Sequence, residues 1–122
     1  MAKEAIVTPG AIGPYSPAIR IGSALYLSGQ IPLDQTSGKV ETEIAAAVTL
    51  VFDNIKNILS AAGFTMNDVV KTTVYLKDMG SFQAMNDVYA RTFSAPYPAR
   101  TTVEVSRLPK DVPVEIEVIA QR

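Results

Sequence analysis

The chain has 122 residues, 48% of them hydrophobic, with 11 Lys and Arg against 12 Asp and Glu for a net charge of -1; this is the balance of a soluble globular chain, and residues 1–122 are expected to form one domain. It contains no cysteine and no histidine, which excludes disulfides, Cys/His zinc sites, thiol nucleophiles and a Ser-His-Asp triad, and leaves Asp, Glu, Lys, Tyr or water to move protons. No Lys/Arg run supplies the footprint of a nucleic-acid binder, and every apolar run is cut by charge, Gly or Pro, so neither nucleic acid nor a membrane span is expected; the start, Met1–Val7, is too short in apolar residues for a signal peptide, which makes the cytoplasm the expected compartment.

Lys3–Val7 reads as a short strand. Thr8–Pro17 holds three prolines and two glycines and must be loop, with Ile12 and Tyr15 as its apolar anchors. Ala18–Ile21 and Ala24–Ser28 form a hairpin around Gly22-Ser23. Ser28-Gly29-Gln30 ends the second of these strands, and Pro32 bars its continuation in a sheet centre. Gly29 fits either a bulge or a close approach of backbone to another group. Asp34–Lys39 is a polar turn cluster.

Glu43–Ala62 carries Ile44, Val48, Val51, Phe52, Ile55, Leu59 and Ala62 at helical spacing, with Thr42 as the expected N-cap and Gly63 as the residue that stops the helix. Val69–Lys77 is a strand; strict alternation places Val70, Thr72, Val74 and Leu76 on one face and Val69, Lys71, Thr73, Tyr75 and Lys77 on the other. A second helix, capped by Asp78 or Ser81, runs to about Phe93 with the stripe Phe82, Met85, Val88, Tyr89 and Phe93. Asn86 lies beside that stripe, placed either for a site or for bonding to backbone. Ala95–Pro98 is a stiff, extended entry to the next strand.

Two strands close the chain. In Pro98–Val105, Arg100, Thr102 and Glu104 share a face; in Val114–Ala120, Glu115 and Glu117 share one. Ser106–Pro113 is long enough to reverse direction. If both strands lie in one antiparallel sheet, a guanidinium, a hydroxyl and carboxylates gather on one side, and the fork of Arg100 suits a carboxylate. The same spacing also serves a solvated face of cross-strand ion pairs. The order β-β-β-α-β-α-β-β, with two one-sided helices, predicts an α+β sandwich: one mixed sheet with both helices on one face. The other, half-apolar sheet face is then expected to be buried by oligomerisation.

Six dispersed blocks together resemble the RidA/YjgF family: Ile12–Tyr15, Ser28–Pro32, Val69–Tyr75, Pro98–Arg100, Val103–Asp111 and Val114–Glu117. The likeness runs from about residue 5 to residue 120, in order and at the family's spacing. It implies a chorismate-mutase-like α+β fold and a homotrimer with sites in the clefts between subunits. It also implies hydrolysis of reactive enamines and imines, such as 2-aminoacrylate and 2-iminobutanoate, to 2-oxo acids and ammonia, without a cofactor or metal. On this resemblance Arg100 is the carboxylate-binding residue, Glu115 the site glutamate, and Tyr15, Ser28, Gly29 and Asn86 line the substrate. Many members carry a cysteine where this chain has Thr102, which can offer a hydroxyl to the attacking water. An endoribonuclease or translation inhibitor, and a non-catalytic module that senses 2-oxo acids, are the alternative functions.

Overall fold

The computed structural model describes residues 1–8 and 13–122; Ile12 lies outside them. The elements in order are β1 (Glu4–Ile6), β2 (Ala18–Ile21), β3 (Ala24–Leu27), α1 (Ile44–Ala61), β4 (Val69–Leu76), α2 (Phe82–Thr92), β5 (Ala99–Glu104) and β6 (Val114–Gln121), with single 3-10 turns at Met66–Asp68, Met79–Ser81 and Pro109–Asp111. The strands form one six-stranded sheet in the order β1-β2-β3-β6-β4-β5. Among the described residues only β4 and β5 pair in parallel, joined by α2 as the crossover.

Local chemistry accounts for the element ends. The β2–β3 hairpin turns at Gly22, whose φ of 58° is open to glycine without a Cβ penalty. The N-cap of α1 is Glu43 rather than Thr42: its carboxylate accepts from the backbone N–H of Ala45 at 2.6 Å and of Ala46 at 3.3 Å, where the helix dipole also favours negative charge. Gly63, at φ 81°, ends α1 as expected. Asp78 caps the 3-10 turn before α2 through Gly80 N–H, and Ser81 precedes α2 with no side-chain capping bond.

Both helices lie on one face of the sheet. Val48, Val51, Phe52, Ile55, Ile58 and Leu59 of α1, with Met85, Val88 and Tyr89 of α2, close over Leu25, Leu27, Val74, Leu76, Val114, Ile116 and Val118 in one apolar cluster. Each fully buried side chain of this size contributes about 1.5–3 kcal/mol. Contrary to the sequence expectation, α1 has the length and apolar composition of a membrane-crossing helix, with Asp53 and Lys56 its only charges. Those charges are exposed while the apolar stripe is buried against the sheet, as in a core helix.

The alternation in β4 is broken. Val69 pairs with Ala120 and Lys71 with Ile119, so Val70 is the extra residue of a bulge. Val69 is thereby buried and Val70 is 47% exposed, the reverse of the assignment that strict period two makes. From Lys71 onward the alternation is regular. The uncovered sheet face carries Tyr26, Ile119, Lys71, Thr73, Tyr75, Thr101, Val103, Glu115 and Glu117, part apolar and part charged.

One buried polar residue ties the loop after β3 to α1. The Asn54 amide donates to the carbonyls of Ile31 at 3.2 Å and Leu33 at 2.9 Å. Asn54→Ala takes the amide donor from the Leu33 carbonyl under the helix, while the Ile31 carbonyl keeps the Leu33 N–H at 2.8 Å, and the expected loss is about 1–3 kcal/mol in urea unfolding. A variant with unchanged stability would show that this segment is solvated in the native protein.

Candidate active site

The register divides the expected site residues into two clusters on opposite faces. β4 sits between β5 and β6, with Thr72 opposite both Arg100 and Val118, Val74 opposite Thr102 and Ile116, and Tyr75 opposite Val103 and Glu115. Arg100 and Thr102 therefore share the helix-covered face with Val118 and Ile116. Glu115 and Glu117 share the uncovered face with Tyr75 and Thr73. The expectation that the guanidinium and the carboxylates gather on one side of the chain's sheet is overturned. β5 and β6 do run antiparallel in one sheet, but the intervening strand and the period-two alternation set their polar faces apart.

On the helix side, Arg100 Nη1 donates to Asn86 Oδ1 at 2.7 Å. Asn86 thus partners a side chain, not backbone. The guanidinium carbon lies 4.6 Å from the ring centre of Tyr89 and 5.4 Å from that of Phe82. Thr72 Oγ1 and the Tyr89 hydroxyl share a hydrogen bond of 2.8 Å. Burial raises the Tyr89 pKa, offset in part by the Thr72 bond and the Arg100 charge. The Thr102 hydroxyl is buried with no hydrogen-bond partner among the described residues, a cost that a bound water or ligand group would remove.

On the other side, Glu115 stands at the start of β6. Gln30 N–H donates to Ile116 O at 2.8 Å and Ile116 N–H to Gln30 O at 3.0 Å, which draws Ser28-Gly29-Gln30 alongside the glutamate. A Cβ on Gly29 would overlap the Glu115 side chain, with the carboxyl carbon 2.9 Å away. Gly29 therefore marks a close approach, not a bulge. Ser28 Oγ donates to Ser16 O at 2.6 Å and Ser28 N–H to Pro17 O at 2.9 Å, holding the loop that carries Tyr15 against this end of the sheet. Tyr15 itself is 53% exposed, not a packed anchor.

Glu117 lies two residues along the same face, and the Tyr75 hydroxyl donates to it. Burial first, and the Glu117 charge second, push the Glu115 pKa above the usual carboxylate range. The Tyr75 pKa is pushed up to about 12, chiefly by its bond to Glu117. Lys71, on the same face, is engaged with Thr101 Oγ1 at 2.7 Å. Two cavities, of about 330 Å³ beside Met66–Val69 and Thr92–Pro98 and about 170 Å³ beside Gln30 and Asn54, are lined by neither Arg100 nor Glu115.

The sequence reading did not single out Phe82, Tyr89 or Tyr75 for the site. Phe82, Asn86 and Tyr89 fall at i, i+4 and i+7 on α2, so one helix face presents an amide between two rings. That spacing is the available signal, and it is masked because the rings also fit a core stripe.

A mixed sheet covered on one face by two helices, with an arginine held by α2 and a glutamate against a glycine turn, defines an α+β class that known proteins share. The family model described as endoribonuclease L-PSP matches residues 5–122. A RutC family protein of Pyrococcus horikoshii is 54% identical over 124 residues, covering 98% of each chain. The 2-iminobutanoate/2-iminopropanoate deaminase of Escherichia coli K12 is 46% identical over 117 residues, covering 93% of this chain and 91% of its own. The crystal structure of E. coli TdcF with bound serine superposes with a TM-score of 0.93 at 42% identity, covering 98% of both chains. The chain belongs to the endoribonuclease L-PSP family, the group that includes the RidA and YjgF proteins.

A carboxyl whose pKa rises on folding opposes stability once it ionises, so its contribution is present at low pH and lost as the pH rises through the raised value. Glu115→Gln cannot ionise. It is expected to match the native protein in urea melts at about pH 4 and to exceed it at about pH 7.5. An equal difference at both pH values would show that Glu115 is not desolvated in solution.

Proposed function

We propose that this protein hydrolyses small 2-imino and 2-enamine acids to 2-oxo acids and ammonia, at sites formed between copies of a homotrimer. The observation that carries the reading is the pair of clusters: an immobilised guanidinium on one face and a half-buried carboxylate of raised pKa on the other. A reaction that uses both takes them from two copies, because the sheet separates them within one. The half-apolar uncovered face gives the copies a surface to bury. The name of the E. coli deaminase and the bound serine in TdcF, a small amino acid with a carboxylate, support the substrate class.

Arg100 grips the carboxylate and fixes C2. Water adds across the C=N bond: its oxygen bonds to C2 and one proton passes through Glu115 to nitrogen, giving a carbinolamine. The carbinolamine hydroxyl then gives up its proton, again through Glu115, to the amine. The C–N bond breaks, ammonia leaves, and the C=O of the 2-oxo acid forms. The raised pKa of Glu115 suits a group that both accepts and returns a proton. Gly29 leaves room for its carboxylate, Thr102 offers a hydroxyl to water, and Tyr15 and Ser28 line the approach. C2 of an imine is already electrophilic, so no nucleophilic side chain is needed and Thr102 serves where many relatives have cysteine.

The test is release of 2-oxo acid when a threonine dehydratase supplies the imine. The native protein should accelerate release and be indifferent to thiol-alkylating reagents. Arg100→Ala should lower kcat/KM by about 100-fold or more, near 2.7 kcal/mol, and Arg100→Lys should also be poor, because an ammonium lacks the planar fork. Binding of 2-oxo acid without any acceleration would favour a ligand-sensing module instead. Light scattering should give three times the chain mass of 13.1 kDa; a fully active monomer would refute the shared site.

A further inference from the structure

We infer that Tyr89 and Phe82 are positioning residues for the substrate carboxylate: their rings fix the plane of the Arg100 guanidinium so that Nε and Nη2 are presented to the ligand. The inference rests on the carboxylate-clamp reading of Arg100 and goes beyond it by naming what makes the clamp rigid. The guanidinium has a face and an edge. The guanidinium carbon lies 4.6 Å from the ring centre of Tyr89 and 5.4 Å from that of Phe82, and Nη1 is taken by Asn86 Oδ1 at 2.7 Å, so the head group is held at three points. Among the described residues Nη2 and Nε have no protein partner, and they are the two nitrogens of one fork edge.

Tyr89 cannot follow a moving guanidinium. Its ring packs against Phe52 at 5.9 Å and Phe93 at 4.8 Å between centroids, and its hydroxyl is bonded to Thr72 Oγ1. Thr72 is the β4 residue directly beside Arg100. Strand β5 therefore sets the Cα of Arg100, while α2 sets the plane of its head group. An arginine on an edge strand would otherwise sample many rotamers, and each ligand would bear the cost of ordering it. Ring faces attract the cation without competing for its N–H groups. The charge is held while the hydrogen bonds stay free, which a carboxylate partner on α2 would not allow.

The experiment measures binding of 2-oxobutanoate, the reaction's expected product, by calorimetry, together with KM and kcat for the imine. Phe82 is only partly buried, so Phe82→Leu should fold. It should weaken 2-oxobutanoate and raise KM by about 5- to 20-fold with kcat within about twofold. Phe82→Tyr, which keeps a ring beside the guanidinium, should restore native values. In an Arg100→Ala background, Phe82→Leu should change affinity no further. If Arg100→Ala weakens 2-oxobutanoate but Phe82→Leu does not, the positioning role is overturned and the clamp stands. If Arg100→Ala leaves binding unchanged, the clamp reading fails and this inference fails with it.

Discussion

Strand β4 is hydrogen-bonded to β5 on one side and to β6 on the other, and that double register decides where every side chain of chemical interest stands. Side chains alternate at period two, so one pairing of Thr72 with Arg100 and Val118 commits the rest. Arg100 and Thr102 are turned toward the helices, and Glu115 and Glu117 away from them. A slip of one residue in either ladder would exchange the faces and bring valines where charges are. The register is fixed because Val74, Leu76, Ile116 and Val118 must all meet α1 and α2.

The two clusters are built by different means. The arginine is made rigid by packing: α2 is pinned to the sheet by its apolar stripe, and the same helix face carries Phe82, Asn86 and Tyr89 to the guanidinium. The glutamate is made unusual by desolvation and like charge. The glycine turn closes against it, and Glu117 sits beside it with Tyr75 as its donor. One side of the chain thus presents a fixed cation, and the other a carboxyl whose pKa is raised above the usual carboxylate range. A homo-oligomer that places one copy's arginine over another's glutamate turns two half-sites into one.

Much of the architecture was legible in local pattern. The 3.6-residue stripe of α1, the stop at Gly63, the Gly22 hairpin and the alternation of β5 and β6 each rest on short-range physics, and the element order followed from them. Strand order did not follow, because β-branched alternation is the same for any neighbour. For that reason Arg100 and Glu115 could be matched to roles by family resemblance yet be expected on one face. The bulge at Val70 was hidden for a similar reason: two adjacent valines give the pattern no mark of which one turns inward. Asn86 and Gly29 were ambiguous because their partners, Arg100 and Glu115, arrive from distant strands. Glu43 displaced Thr42 as N-cap because the helix starts at Ile44, one residue later than expected, where the Glu43 carboxylate reaches the Ala45 and Ala46 N–H groups with the added favour of the dipole.

The most direct test of the shared-site account is subunit complementation. Arg100→Ala and Glu115→Gln proteins, each expected to have little activity alone, are mixed, unfolded together and refolded. If a site takes its arginine from one copy and its glutamate from the next, random assembly restores intact sites, and roughly a quarter of native activity should return. Refolded mixtures no more active than the separate variants would contradict the account, since both groups would then be required within one chain.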